Sequence, residues 1–166
     1  MGLDMYLYAK RHINASEWSS DTEKAAYAAL TGAAEAAGVW LPPQYIQNMP
    51  TLEIEMPLMY WRKANHIHAW FVEHVQDGKD ECQESWVNID KLRELDRLCR
   101  DVVMAQSAEV ATEKLPTTSG FFFGGTEYDK YYFEDCRETM DALTKLLADH
   151  DAGKFASWDI YYRASW

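Results

Sequence analysis

Residues 60–71 constrain the fold more than any other stretch, because a strand pattern changes there into a helix pattern within a few positions. Apolar and polar residues alternate through residues 52–60, which is typical of a half-buried strand. Pro57 within that run indicates an edge strand or a bulge. From about residue 63 to residue 76 the apolar residues recur at helical spacing instead. The sequence therefore predicts a strand that leads directly into a helix.

Similar patterns predict the elements on either side of this junction. Residues 3–9 and 155–165 alternate as strands, and residues 82–87 are a candidate short strand. Ser20 and Glu23 form a capping box, in which each side chain bonds the backbone of the other residue. This box begins an alanine-rich helix.

Later elements are predicted from single capping residues and from loop composition. Asn88 is the expected N-cap of a helix that continues, or breaks and restarts, up to Leu115. Thr126 is the expected N-cap of a helix over residues 127–149. The proline-rich residues 39–50 predict an irregular loop.

The order β-α-β-α-β-α-α-β, with strands that are apolar on one face, favours the α+β class. We expect a small, mainly antiparallel sheet with about four helices packed on it. The first and last strands are natural neighbours in such a sheet. The length of 166 residues suits a single domain over 1–166.

The charge balance limits the possible partners. The chain carries 27 Asp and Glu residues against 16 Lys and Arg, a formal net charge of -11. A phosphate-binding surface needs clustered cations, so we do not expect a nucleic-acid partner. The three cysteines form no CxxC pair, which favours reduced thiols in the cytoplasm. A secretory signal and an apolar run of about 18 residues are both missing from the sequence, so no membrane partner is predicted.

The predicted strand–helix junction forms the first candidate site. Helical spacing predicts that four polar or aromatic residues, flanked by Asn65, share a face opposite the apolar stripe: Arg62, His66, Trp70 and Glu73. Arg62 offers planar donors to a phosphate, and the helix N-terminus adds free amides. Trp61 and Trp70 offer stacking surfaces, and Tyr60 completes the set. The alternative is an ordinary amphipathic helix with a solvated polar face.

The histidines of this segment do not predict a metal site. His66 and His68 are two positions apart, and on a helix such residues face about 200° apart. His68 lies near the apolar stripe and is expected to be a hydrogen-bonded core residue. His66 is a candidate general base, although no matched acid or nucleophile lies beside it in the sequence. We therefore lean towards a protein that is not an enzyme.

The second candidate site is the loop over residues 116–128, where glycines flank three phenylalanines. Glycines allow a backbone to approach a ligand closely. The expected ligand-binding residues of this loop are Ser119, Phe121, Phe123, Thr126 and Tyr128. The loop has neither a Walker lysine nor a GxGxxG pattern, and we predict no cofactor. The alternative is that the phenylalanines fill the core.

A third set of residues would form a polar and aromatic wall if the first and last strands pair. Three residues of each strand share one face: Asp4, Tyr6 and Tyr8, and Asp159, Tyr161 and Arg163. Arg163 is the member of this set that we expect to bind a ligand. The alternative is ordinary cross-strand pairing on a solvated face.

Four segments carry a resemblance to a family of small uncharacterised proteins encoded by bacteriophages, prophages and bacteria: MGLDMYLY, EMPLMYWRKANHIHAWFVEHVQDG, SGFFFGGTEYDKYYFED and WDIYYRASW. The resemblance spans most of the chain. It implies an accessory role inside the host cell in phage–host biology.

These features favour a non-catalytic protein that binds a nucleotide-like small molecule, and the resemblance extends this to sequestering a host immune signal. One alternative is a modulator that presents its acidic, aromatic-rich surface to a host protein. Another is a small hydrolase or transferase that uses His66. The many aromatic residues also favour a homo-oligomer, in which some of them would be covered.

Overall fold

The computed structural model describes residues 2–41 and 51–166, which contain four strands and five helices. In chain order these are β1 (Asp4–Asn14), α1 (Asp21–Ala36), β2 (Thr51–Arg62), α2 (Asn65–Val75), β3 (Ser85–Trp86), α3 (Ile89–Ala105), α4 (Ala108–Lys114), α5 (Lys130–Asp151) and β4 (Asp159–Ser165). The strands form one antiparallel sheet in the order β2-β1-β4-β3. The predicted α+β class is confirmed, and so is the pairing of the first and last strands.

The position of β2 at one edge of the sheet explains Pro57, because a proline has no N–H for a ladder on both sides. The alternation of β2 shifts by one position after this proline. Leu52 and Ile54 are half-buried in its first part, but Trp61 is buried and Tyr60 is 52% exposed in its last part. The predicted alternation through residues 52–60 would place Tyr60 on the same face as Leu52 and Ile54, so it does not hold beyond Pro57.

The chain divides into two compact units, Met1–Ala9 with Met56–Trp166, and Lys10–Glu55. The second unit contains α1, which begins with the predicted capping box on Ser20 and has no buried residue. Within this unit Lys10 pairs with Glu53 at 3.4 Å. The prediction of a single domain stays a prediction. Residues 42–50, including the prolines of the predicted loop, lie outside the described residues.

The core of the first unit lies between the sheet and the helices that follow β2. Its strand members alternate along β1 and β4, and its helical members come from α2, α3, α4 and α5. Phe71 of α2 stacks on Tyr162 of β4 with ring centroids 3.9 Å apart and planes 6° apart. Packing of this kind fixes α2 on the sheet and so fixes the junction that precedes it.

The burial of α2 differs from the prediction. The prediction that one exposed face of α2 carries Arg62, His66, Trp70 and Glu73 is wrong. His66 and Trp70 are buried, and Arg62 ends β2. Of these four residues, Glu73 is the one that lies both within α2 and in solvent. The reason is that other parts of the chain cover the first two turns of this helix on every side.

Two element boundaries also differ, and one predicted break is confirmed. Asp129 rather than Thr126 caps α5, because its carboxylate accepts from the amides of Tyr131 and Tyr132 at 2.9 and 3.2 Å. The helix after Asn88 breaks and restarts as one of the two alternatives predicted: α3 ends at Ala105, Gln106 follows with a left-handed φ of 48°, and α4 begins beyond it. β4 begins at Asp159, four residues later than predicted.

Candidate functional site

Two residues with left-handed backbones shape the junction between β2 and α2. Lys63 has a φ of 62°, which turns the chain sharply between the strand and the helix. Gly124 has a φ of 90°, and a Cβ on it would lie 3.1 Å from the Cβ of Lys63. The loop over residues 116–128, the glycine loop, therefore packs its backbone directly against the junction. A residue with a side chain at position 124 would prevent this close approach.

Asn65 joins the two predicted segments into one structure. Its Nδ2 donates to the carbonyl oxygens of Phe123 and Gly125 at 3.1 and 2.7 Å, and its Oδ1 accepts from the amide of Thr118 at 3.0 Å. The side chain is 2% exposed, so these bonds satisfy a buried amide. Asn65, which the sequence predicts to contact a ligand, therefore also positions the loop that would surround that ligand.

Together these elements enclose a cavity of about 330 Å³. That volume lies within the range of pockets that bind small molecules. Twelve residues line it: Arg62, Lys63, Asn65, His66, Thr117, Gly124, Gly125, Glu127, Asp129, Tyr131, Tyr132 and Asp135. The cavity therefore contains parts of both segments that the sequence singled out.

Two cations reach the cavity from the β2–α2 junction, where α2 begins. Arg62 is 62% exposed, and its Nε lies 3.9 Å from a carboxylate oxygen of Asp4. Lys63 lines the cavity beside it. The N-cap of α2 is Ala64, which provides no side-chain hydrogen bond to the first turn. The positive end of the helix dipole is therefore not satisfied by a side-chain cap, which suits an anion.

Carboxylates reach the cavity from α5 and from the loop before it. The carboxylate of Asp129 is occupied by the amides at the start of α5. Glu127 and Asp135 are the other two acids. Burial raises the pKa of Asp135 to about 6, partly offset by His66. A cavity of this composition suits a ligand that carries an anionic group and also N–H donors.

The side chain of His66 lies where its own helix, α2, packs against α5. It is 3% exposed, and its Nε2 lies 3.5 Å from the sulfur of Cys136. Its ring centroid is 4.2 Å from that of Tyr132, whose hydroxyl donates to the carbonyl of Leu115 at 2.8 Å. The imidazole therefore has one fixed orientation at the cavity wall.

The thiol next to His66 has an altered acidity. A hydrogen bond from Cys99, together with His66, lowers the pKa of Cys136 to about 6 despite burial. The pKa of Cys99 is raised well above its ordinary value, because its thiol donates that bond and is itself buried. Cys136 is fully buried and does not line the cavity. It shapes the electrostatics of His66 rather than meeting a ligand.

His68 belongs to a different network in the core. Its Nδ1 lies 2.7 Å from the hydroxyl of Tyr162, and its Nε2 lies 3.0 Å from a carboxylate oxygen of Asp80. The other oxygen of Asp80 accepts from the indole N–H of Trp166 at 3.0 Å. Burial raises the pKa of Tyr162, so its hydroxyl keeps its proton. His68 is thus the hydrogen-bonded core histidine that the sequence predicted.

The structure separates the predicted ligand-binding residues into groups. Arg62, Asn65 and His66 line the cavity. Trp61 and Trp70 lie in the core, where the indole N–H of Trp61 donates to the hydroxyl of Thr139 at 2.7 Å. Neither tryptophan offers a free stacking surface.

The loop residues also divide. Phe121 is 95% exposed, while Phe123 packs edge-on against His68. Tyr128 accepts from the amide of Thr117 at 3.4 Å, and the carbonyl of Thr126 accepts from the Thr117 hydroxyl at 3.0 Å. Thr117 lines the cavity, but the five predicted residues of this loop do not: Ser119, Phe121, Phe123, Thr126 and Tyr128. Tyr60 and Arg163 lie on the open face of the sheet.

Sequence reasoning missed the contribution of α5. Tyr131, Tyr132 and Asp135 reach the cavity from the first turns of that helix. They lie two, three and six residues after the N-cap Asp129, so two aromatics and a carboxylate at helical spacing beside an N-cap were the available signal. The incorrect cap at Thr126 concealed it.

Comparison of the chain with known proteins gives no match to a protein-family model, to a curated protein or to a solved structure. Within residues 2–41 and 51–166, no helix combines the length and apolar character that a membrane span requires. In the same ranges, no three His, Cys, Asp or Glu side chains are grouped so that they would hold a metal ion.

Proposed function

We propose that the protein binds a nucleotide-like small molecule in the cavity between the β2–α2 junction, the glycine loop and α5. The observation that carries this proposal is the meeting of two cations, Arg62 and Lys63, with the uncapped start of α2 in a cavity of about 330 Å³. A phosphate is the group that such an arrangement recognises best.

The rest of the cavity supports a base or a sugar beyond that phosphate. Asp135 and Glu127 accept hydrogen bonds from N–H or O–H groups, as the N1 and N2 donors of guanine would provide. Tyr131 is exposed and offers a ring at the rim. The carboxylate of Asp129 already accepts hydrogen bonds from amides of α5. The three acids of the cavity therefore repel a phosphate less strongly than three free carboxylates would.

The proposal includes a biological role that rests on the resemblance alone. A phage-encoded protein that binds such a molecule without changing it would sequester a host immune signal in the cytoplasm of the infected cell. The binding reaction needs no cofactor. A cavity of about 330 Å³ supports binding of a small ligand rather than of a large one.

Native mass spectrometry of the protein purified from cells tests the binding function. We expect an additional mass that leaves on denaturation, and loss of that mass in Arg62→Ala. Removing a charge-assisted contact costs roughly 1.5–3 kcal/mol, which is about a tenfold to hundredfold loss of affinity. Arg97→Ala is the matched control, because Arg97 is exposed on α3 and does not line the cavity. An identical adduct on both variants would contradict the assignment of the site.

A second function is favoured by the contact between His66 and Cys136. An imidazole whose Nε2 lies 3.5 Å from a thiol of lowered pKa, beside Asp135, is able to exchange protons with a bound ligand. A small hydrolase or transferase would use His66 as the general base. Turnover of a nucleotide or ester substrate that disappears in His66→Gln, with binding retained, would support this function over simple binding.

A further inference from the structure

The open face of the sheet carries an array of aromatic side chains outside the cavity. Tyr6 of β1 and Tyr60 of β2 have ring centroids 5.3 Å apart. Tyr8 of β1 is buried on this side of the sheet, where it stacks on Tyr161 of β4 at 6.1 Å with planes 22° apart. Trp86 pairs in register with Tyr161 and is exposed. Because neighbouring residues of these strands face the core, the aromatic rings lie on the side away from the helices.

Arg163 stands within this array. Its guanidinium carbon lies 5.7 Å from the ring centroid of Tyr6 and 5.6 Å from that of Tyr8. The side chain is exposed, and within the described ranges it forms no ion pair with a carboxylate. The chain contains 27 Asp and Glu residues, yet the guanidinium of Arg163 packs against two aromatic rings and not against a carboxylate. It is therefore available to an anionic ligand.

Arg62 connects the open face to the cavity. It lines the cavity, and its Nε lies 3.9 Å from Asp4 on the open face of β1. The hydroxyl of Tyr60 donates to the same carboxylate of Asp4. The mouth of the cavity at Arg62 is therefore continuous with the surface formed by Tyr60 and Tyr6.

We infer that the ligand extends past Arg62 onto the open face, so that the ligand class is a dinucleotide rather than a mononucleotide. One nucleotide occupies the cavity, and the base of the second stacks on Tyr60 and Tyr6. Arg62 and Arg163 provide the positive charge for the phosphates. Their strands, β2 and β4, flank β1 and are therefore roughly 10 Å apart. This inference rests on the proposed function, since it needs a ligand in the cavity.

A mononucleotide bound in the cavity would contact neither Arg163 nor the tyrosines of the open face. The cavity contains Arg62 and Lys63, which suffice for one phosphate, and Arg163 is not part of its lining. Exposed tyrosines on a sheet face are a common stacking surface for bases. A long strand of nucleic acid fits less well, because the net charge of the chain is -11.

Isothermal titration of the full chain with two probes, GMP and the linear dinucleotide pGpG, tests this inference. We expect pGpG to bind at least about tenfold more tightly than GMP, the gain that one stacked base provides. Arg163→Ala and Tyr60→Leu should each remove much of that gain and leave the affinity for GMP within about twofold. Tyr60→Phe, which keeps the ring, should retain the gain, and Arg97→Ala is the control.

The outcomes separate the two proposals. If GMP binds and pGpG binds no more tightly, the extended site is excluded while the cavity function stands. If Arg163→Ala weakens both probes equally, Arg163 does not act on the second nucleotide and the inference fails. If neither probe binds, the proposed function and the extension both fail. Circular dichroism of each variant excludes unfolding as the cause of a loss.

Discussion

The two histidines of α2 lie two positions apart, yet their surroundings differ in kind. His68 has both ring nitrogens within hydrogen-bond distance of the hydroxyl of Tyr162 and the carboxylate of Asp80. His66 lines a cavity, faces the sulfur of Cys136 and lies near Asp135, a half-buried carboxyl of raised pKa. The first network is fully paired. The second leaves polar groups directed at an open space.

This difference separates polar burial that holds the core together from polar burial that lines an open cavity. A buried polar network in which every group is paired holds the core in one arrangement. Buried charge without a full set of partners costs stability, and proteins retain it mainly at functional sites. We therefore expect substitutions in the two networks to change stability in opposite directions.

The largest expected effect is in the paired network. His68→Ala removes both hydrogen bonds and leaves Tyr162 and Asp80 without their shared partner. We expect the free energy of unfolding to fall by about 3 kcal/mol, from lost bonds and a small cavity. Urea denaturation measures it. A loss below about 1 kcal/mol would show that this network does not stabilise the core.

The next effect has the opposite sign. Asp135→Asn removes a carboxyl whose pKa is raised from 3.8 to about 6 in the folded protein. The folded state then binds more protons than the unfolded state between those two pKa values, so the wild type loses stability as pH rises from about 4 to about 6. Above pH 6 the cost is constant. We expect Asp135→Asn to raise the free energy of unfolding at pH 7 by about 2 kcal/mol, after allowance for partial exposure.

Urea titrations of both proteins at pH 4 and pH 7 check this prediction. The two proteins should be nearly equal in stability at pH 4 and differ at pH 7. A wild type that is the more stable at pH 7 would mean that Asp135 is well paired, and the comparison between the networks would lose its basis. Asp135→Asn should also weaken nucleotide binding, because it removes a carboxylate acceptor.

The smallest expected effect sharpens the account of the paired network. Trp166→Phe removes the indole N–H that donates to Asp80 but keeps a ring against Phe123. The lost bond is solvent-exposed at one end, so we expect a decrease in stability of roughly 0.5–1 kcal/mol. Thermal unfolding detects it. Nucleotide affinity should not change, because Trp166 does not line the cavity.

Elements with local signals could be predicted from the sequence. The capping box of Ser20 and the N-cap of Asn88 depend on residues two or three positions away, and the structure contains both. Pro57 correctly indicated an edge strand, because the absence of an N–H is a property of that residue alone.

The surroundings of α2 could not be predicted in this way. Its first turns are covered by the loop around Phe123 and by Cys136 of α5, about 60 and 70 residues further along the chain. Helical periodicity describes one face at a time and does not detect cover on all sides. For that reason periodicity predicts a face for His66 and Trp70 opposite the apolar stripe, and it does not predict that Asn65 holds the loop.

The cavity was predictable in its parts and not in its assembly. Residues 60–70 and the glycine loop were both singled out, yet their contact depends on the left-handed turn at Lys63 and the close approach of Gly124. Asp135 resembles any acid on an amphipathic helix until its burial is known.

Isothermal titration of GMP into the wild type, Arg62→Ala and Arg97→Ala is the most direct test of the central claim that the cavity binds a nucleotide-like ligand. We predict one site per chain in the wild type and in Arg97→Ala, with affinity at least about tenfold lower in Arg62→Ala. Equal affinity in all three proteins, or no binding to the wild type, would contradict the claim.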